Sequence, residues 1–350
     1  MNDAGSIKPI PGYTIQINAS LLERTTFRVP ARAATLIEVH DADALPALAD
    51  SGMLQTENTL ILGEGSNVLF TRDWPGVVLS LATRGIDIVE DRGDASLVRA
   101  AAGEHWNDFV HWSLDRGFVG LENLALIPGS VGATPIQNIG AYGTEIDEFV
   151  HAVAVWDRST QQPLRLARED CGFAYRDSLF KHEPGRYLIT AVEFLLPRQR
   201  ELRLDYTGIR EELAAMGVTE PDARTVAQAV TRVRTRKLPD PASTGNAGSF
   251  FKNPIISSAQ AHILKSAHPN LPTWPLPHDQ TKLSAAWLIE TCNFKGLREG
   301  YAGVSNQHAL VLINYGQATG AQILALAQRI QRGVLERFGT HLEPEPLIIA

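Results

Sequence analysis

The stretch Ile127-Pro128-Gly129-Ser130-Val131-Gly132-Ala133-Thr134-Pro135-Ile136-Gln137-Asn138-Ile139-Gly140-Ala141-Tyr142-Gly143 carries no regular hydrophobic period. Strands alternate and amphipathic helices repeat about every 3.6 residues, and neither pattern runs through it. A long irregular segment inside a compact domain leaves backbone polar groups in need of partners, which a bound ligand supplies. Its small residues let the backbone approach a large ligand closely, and Ser130, Thr134, Gln137 and Asn138 offer directional hydrogen bonds. Read as structure alone, the segment is an Ω-loop.

Outward from it the chain reads as mixed α and β. Alternating or β-branched runs predict strands at 35–39, 58–62, 77–79 and 96–101 before the segment, and at 150–156, 187–195 and 202–206 after it. Helices are predicted at 43–51 and 105–115. A composition shift at 216–222 marks a boundary. Beyond it, 223–236 is helical, with Val226, Val230 and Val233 on one face and a basic last turn that suits the helix macrodipole. A helix at 281–292 and strands at 301–304 and 308–313 follow. Thr319-Gly320-Ala321-Gln322 fits a capping box, and Ile323, Leu326, Ile330, Val334 and Phe338 then form a core-facing stripe that stops at Gly339.

With 350 residues and 44% hydrophobic content, the chain has enough apolar material for a sizeable core and length for two or three domains. A net charge of -7 argues against nucleic acid or an anionic membrane as the main partner, while leaving room for a local basic pocket. Residues 1–11 lack an apolar leader core, and no stretch approaches the roughly 20 apolar residues of a membrane span. The expectation is a cytoplasmic protein. Cys171 and Cys292 are far apart and in no CxxC arrangement, so both read as reduced and structural. The histidines fall at no HExxH spacing, and no metal is expected.

Several shorter motifs carry chemistry. Gly63-Glu64-Gly65-Ser66-Asn67-Val68-Leu69-Phe70 follows a predicted strand, so its N–H groups suit an anion-binding nest, although a plain turn explains it equally well. It is neither a P-loop, lacking Gly-Lys-Ser/Thr, nor a Rossmann fingerprint, since Val68 holds the place of the third glycine. Arg176, in Ala174-Tyr175-Arg176-Asp177-Ser178-Leu179-Phe180-Lys181, reads alone as half of a surface ion pair with Asp177. Ser249, in Gly245-Asn246-Ala247-Gly248-Ser249-Phe250-Phe251-Lys252-Asn253-Pro254, reads alone as a turn serine, and Lys237 with the arginines before it as a solvated helix end. Leu342-Glu343-Pro344-Glu345-Pro346 adds a carboxylate near the end of the chain. Taken together, an arginine, a hydroxyl and a carboxylate suit a developing negative charge and one proton.

In order, these segments resemble the UDP-N-acetylenolpyruvoylglucosamine reductases, over roughly residues 18–349. The resemblance rests on Gly65-Ser66-Asn67-Val68-Leu69, the 127–143 segment, Tyr175-Arg176-Asp177-Ser178, Lys237-Leu238-Pro239-Asp240-Pro241, Gly248-Ser249-Phe250-Phe251-Lys252-Asn253-Pro254 and Glu345. Leu204-Asp205-Tyr206 resembles the subtype that closes a tyrosine loop over its substrate. The resemblance implies an α+β fold: a two-subdomain FAD-binding module of the vanillyl-alcohol-oxidase-like (PCMH) type at 18–75 and 76–220, an α+β substrate-binding domain at 221–338, and a tail at 339–350 carrying the catalytic glutamate.

It also implies noncovalent FAD, held through Gly63, Gly65, Ser66, Asn67, Val68, Leu69, Gly129, Ser130, Gly132, Asn138, Gly140 and Ala141. NADPH is the implied co-substrate, and the substrate is an enolpyruvyl ether of UDP-N-acetylglucosamine, reduced to UDP-N-acetylmuramate by a monomer. Hydride reaching C3 of the enolpyruvyl group develops negative charge at C2 that spreads into the adjacent carboxylate. On this resemblance Arg176 and Glu345 stabilise that charge and Ser249 protonates C2, while Lys237 and Asn253 hold the diphosphate, Tyr206 covers the uridine side and Tyr142 lines the cleft. Where the family follows its terminal glutamate with a β-branched residue and an arginine, this chain has Pro346 and Leu347, which leaves Glu343 as a rival to Glu345. Two other readings stand beside this one: an FAD oxidase of the same fold, and a nucleotide-sugar-binding relative without turnover.

Overall fold

The computed structural model describes residues 7–54 and 58–350, so the first six residues of the segment read for a leader lie outside it. Compactness divides the chain into a unit of Met1–Ala19, Ala33–Glu64 and Pro75–Arg234 and a unit of Ser20–Arg32, Gly65–Trp74 and Thr235–Ala350.

The first unit is built on an antiparallel five-stranded sheet. In spatial order its strands are Gln162–Ala167, Val150–Asp157, Tyr187–Pro197, Ala95–Ala101 and Ile86–Asp91. The central strands are rich in Val, Ala and Leu because both their faces are covered. Phe194 on the central strand meets Phe109 of the helix Trp106–Asp115 with ring centroids 4.9 Å apart, and Val226 and Val230 of the helix Ala223–Lys237 join the same core. A second five-stranded sheet runs in the order Ile7–Ile10, Tyr13–Ser20, Arg32–Val39, Trp74–Leu81, Thr59–Ile61. Ile37, Val39, Leu48 and Leu79 pack with Trp156 and Leu188 of the first sheet, which joins the two layers of this unit.

The second unit carries two three-stranded sheets and the helix Gly320–Phe338. Ile323, Leu326, Ile330, Val334 and Phe338 are buried along that helix, Thr319 accepts from Gln322 N at 3.3 Å in the expected capping box, and Gly339 ends it in a left-handed conformation. The apolar run Leu347–Ile349 forms a parallel pair with Val68–Phe70.

Three expectations change. Residues 202–206 form no strand: Asn123 takes the Arg203 carbonyl, and the Arg203 guanidinium pairs with Glu148 at 2.6 Å, so side chains rather than a strand partner fix this stretch. The helix expected from 281 begins later, because Gln280–Leu283 is a strand and Ser284 caps the helix Ala285–Thr291 by accepting from Trp287 N. Of 308–313, only the end lies in a strand, Leu312–Asn314.

Candidate active site

In the first unit Arg176 sits at the tip of a tight turn in which Ala174 and Asp177 exchange two backbone hydrogen bonds of 3.1 Å. Its backbone is left-handed, with φ of 55°, a conformation that costs a non-glycine residue energy and persists only when the surroundings fix it. Lys181 Nζ donates to the Arg176 carbonyl at 3.0 Å. The guanidinium reaches into the 127–143 segment, where Nη2 donates to Gly140 O at 2.6 Å and Nη1 lies 3.5 Å from Asn138 O. Any residue but glycine at 140 would place its Cβ 2.9 Å from Nη1. The Arg176–Asp177 surface ion pair does not form, since Asp177 instead meets His182 Nε2 at 2.7 Å.

Asn138 is buried and its side chain is spent internally. Nδ2 donates to Glu145 Oε2 and to Ala174 O, and Oδ1 accepts from Asp147 N. Tyr142 is also left-handed, and its ring meets Tyr206 edge-on with centroids 5.0 Å apart. Asn123 Nδ2 donates to both Tyr142 O and Arg203 O at 3.0 Å, tying the chain before Tyr206 to the Tyr142 segment. Tyr206 itself is half exposed.

Burial raises the Tyr142 hydroxyl above its ordinary pKa, against the pull of the Arg234 guanidinium that hydrogen-bonds it. Arg234 is in turn lowered by its own burial, and its Nε is sealed from solvent with no hydrogen-bond partner among the described residues. Read in sequence as a solvated helix end, Arg234 in fact faces inward. The signal was present in its spacing, four residues after buried Val230.

Gly63, Ser130 and Gly132 make a cradle of small residues. A Cβ at Gly63 would stand 3.1 Å from Ser130 Oγ, and one at Gly132 would stand 2.6 Å from Ala102 Cβ. The Ser130 hydroxyl makes no hydrogen bond among the described residues. Glu64, which has to turn away from any phosphate bound there, is engaged by His105 Nδ1. Gly129 O is taken by Trp106 N at 2.9 Å, and Gly140–Ala141 pairs with Thr144–Glu145.

In the second unit the 65–69 turn is fixed by its first residue. Gly65 has φ of 62°, its carbonyl accepts from Thr26 N at 3.1 Å, and a Cβ there would fall 2.1 Å from Arg24 O. Ser66 O accepts from the Thr26 hydroxyl, and Asn67 Nδ2 donates to Glu345 O at 3.2 Å. Val68 and Leu69 are buried, so these two act through packing in the pair with Leu347–Ile349.

Ser249 is half-buried, with Gly248 before it in a left-handed conformation, buried Phe250 and Phe251 after it, and its backbone bridged to Val311. Glu345 N donates to Phe250 O at 2.8 Å, which sets the serine and the glutamate on neighbouring strands of backbone. Glu343 instead points to Lys252 Nζ, 2.6 Å away, and is largely exposed. Asn253 Oδ1 accepts from Ala285 N at the start of a helix. Lys237 is exposed, and His308, lowered first by burial and then by the Lys237 charge, lies in its field. The structure thus joins Arg176, Asn138 and Gly140 in one unit and Ser249, Glu345 and Asn67 in the other. Among the described residues no group of three His, Cys, Asp or Glu side chains is placed to hold a metal ion.

The FAD binding domain profile matches residues 34–162, and the profile for the C-terminal domain of UDP-N-acetylenolpyruvoylglucosamine reductase matches residues 240–349. The chain is 54% identical over 339 residues to the reductase of that name from Xanthomonas euvesicatoria pv. vesicatoria, covering 97% of each chain. It is 53% identical over 340 residues to that of Xylella fastidiosa, again covering 97% of each. The crystal structure of UDP-N-acetylenolpyruvylglucosamine reductase from Thermus caldophilus aligns with a TM-score of 0.67 at 25% identity, covering 99% of this chain and 100% of that one. Full-length identity of this order and matches to both the flavin and the C-terminal profiles establish that the chain belongs to the UDP-N-acetylenolpyruvoylglucosamine reductase family.

Proposed function

We propose that Arg176, Ser249 and Glu345 carry the chemistry of the family reaction in this chain, the NADPH-dependent, FAD-dependent reduction of the enolpyruvyl ether of UDP-N-acetylglucosamine to UDP-N-acetylmuramate. The observation that supports the reading best is the hydrogen bond from Glu345 N to Phe250 O, which keeps the carboxylate-bearing segment beside the residue that follows Ser249.

Bound FAD would supply the hydride chemistry that links NADPH to C3 of the enolpyruvyl group. Small residues at Gly63, Gly65, Gly132 and Gly140 and the uncommitted Ser130 hydroxyl are the groups that would hold it. Negative charge then develops at C2 of the substrate and spreads into its carboxylate. Arg176, with its guanidinium fixed on Gly140 O, presents a positive charge that needs little reorganisation to meet it. Glu345 adds a hydrogen bond to the enolate, directly when protonated or through a water. Ser249 delivers its proton to C2, a carbanionic acceptor basic enough to take it from a hydroxyl. Lys237 and Asn253 hold the diphosphate, Tyr206 covers the uridine side and Tyr142 lines the cleft.

The cytoplasm is the proposed compartment. Both cysteines are free thiols, as suits a reducing environment, and no helix among the described residues is long and apolar enough to cross a membrane.

The test is a steady-state assay of NADPH consumption with and without the enolpyruvyl sugar, together with the visible spectrum of the purified protein. Consumption that requires the sugar supports the reading. Sugar-independent consumption with oxygen as acceptor would instead support an oxidase, and tight nucleotide-sugar binding without consumption a relative that has lost turnover.

A further inference from the structure

We infer that Glu145, to which no role is given above, is a positioning residue that fixes the Arg176 guanidinium in register with the 127–143 segment. Its carboxylate stands between the two partners that matter: Oε1 lies 3.9 Å from Arg176 Nη1, and Oε2 accepts from Asn138 Nδ2 at 3.1 Å. Asn138 Nδ2 also donates to Ala174 O, the residue that closes the Arg176 turn, at 3.2 Å. Glu145 pairs directly across from Gly140, whose carbonyl receives Arg176 Nη2. The guanidinium is therefore held on two sides, by carbonyl oxygens of the 138–140 backbone and by the Glu145 charge, while Asn138 clamps the turn that carries it to the same segment.

Such fixing matters because the tight turn sets only the left-handed Arg176 backbone, while the guanidinium at the end of a rotamer-rich side chain needs partners of its own to stay in place. An arginine that stabilises charge in a transition state gains most when it does not have to move to do so. Glu145 also accepts from Glu148 N in a capping box, so a purely structural role is the alternative that a test has to separate. The inference rests on the assignment of Arg176 to the substrate carboxylate.

Glu145→Gln removes the charge and leaves an oxygen able to accept from Asn138. Rapid mixing should show flavin reduction by NADPH within about twofold of wild type, while reoxidation by the enolpyruvyl sugar slows on the order of tenfold, the scale of a small misplacement. FAD content should be unchanged. In an Arg176→Ala background the same substitution should cost nothing more, because the residue it positions is gone. Glu145→Asp, which keeps the charge on a shorter stem, should fall between the two. Equal slowing of both half-reactions with loss of FAD, an undiminished effect in the Arg176→Ala background, or no slowing at all would each overturn the inference. A wild-type protein whose flavin is reduced by NADPH but not reoxidised by the enolpyruvyl sugar would overturn the reading of the reaction itself, and the inference with it.

Discussion

Glu345 donates its backbone N–H to the carbonyl oxygen of Phe250 across 2.8 Å, and Phe250 directly follows Ser249. The 345 segment is thereby pinned to the Gly/Ser loop by main chain, a tie that Glu345→Gln leaves in place. Pairing of Leu347–Ile349 with Val68–Phe70 extends the same anchoring to the 65–69 turn.

Lys252 N donates to Glu343 O at 3.0 Å, so both candidate glutamates are anchored by main chain and their side chains are what separate them. Glu345→Gln should slow reoxidation of the flavin by the enolpyruvyl sugar by roughly 10²-fold or more, the lower end for a positioned acid or base. Glu343 makes an exposed ion pair with Lys252, a contact worth about 0–1 kcal/mol, so Glu343→Gln should leave both half-reactions within about twofold. Rapid-mixing absorbance of the two variants side by side decides the matter, and the reverse order of effects would transfer the role to Glu343.

Gly65 is the residue on which the 65–69 turn depends. Its left-handed backbone costs an L residue about 1–2 kcal/mol, and a Cβ would meet Arg24 O at 2.1 Å, backbone that cannot swing aside. Gly65→Ala should therefore melt lower than wild type and purify with substoichiometric FAD. A protein that keeps both its melting temperature and its full flavin content would show that the turn tolerates a side chain and that its glycine serves no close approach.

Asp157 offers a stability test away from the chemistry. Buried at the end of a strand, it accepts from Arg186 and from both the N–H and the hydroxyl of Ser159, and the Arg186 bonds chiefly hold its carboxyl down at about 2, against 3.8 ordinarily. Because the folded pKa is the lower one, the contribution is complete above about 4 and is lost as pH falls through about 2. Asp157→Asn should cost about 1.5–3 kcal/mol at pH 7, the worth of hydrogen bonds to a charged group, and the gap to wild type should close over that acidic window. Denaturant melts at several pH values measure it. A gap that stays constant from pH 7 to pH 2 would mean the loss is one of packing rather than charge.

Strands and helices with a clean period were legible in the sequence, and so were the chemistry-bearing segments, because their residue types are unusual together. What escaped shows which physical terms a single sequence hides. The 202–206 run alternates like a strand, but Asn123 and Glu148, more than fifty positions away, supply its partners. Ile86–Asp91 was missed because this edge strand is exposed on both faces from Asp87 to Asp91 and so carries no apolar alternation. Arg234 looked like part of a basic helix end, and only its spacing from buried Val230 hinted at the buried guanidinium that hydrogen-bonds Tyr142. Glu145 gave no signal, since its importance lies in where Arg176 ends up.

Ser249 provides the sharpest separation of steps. In the proposed role of proton donor at C2 it would act only after hydride has left NADPH, so Ser249→Ala should leave flavin reduction nearly intact while slowing reoxidation by the enolpyruvyl sugar by roughly 10²–10⁴-fold, the usual worth of a positioned donor. Substrate affinity should change far less, because the contribution is made mainly in the transition state. The loop itself should survive the substitution, since the backbone bridge to Val311 and the left-handed Gly248 do not involve the hydroxyl. Ser249→Cys keeps a donor at the same position and should recover part of the lost rate. Equal slowing of both half-reactions in Ser249→Ala would point to a displaced flavin, and unchanged reoxidation would return Ser249 to the role of a turn residue.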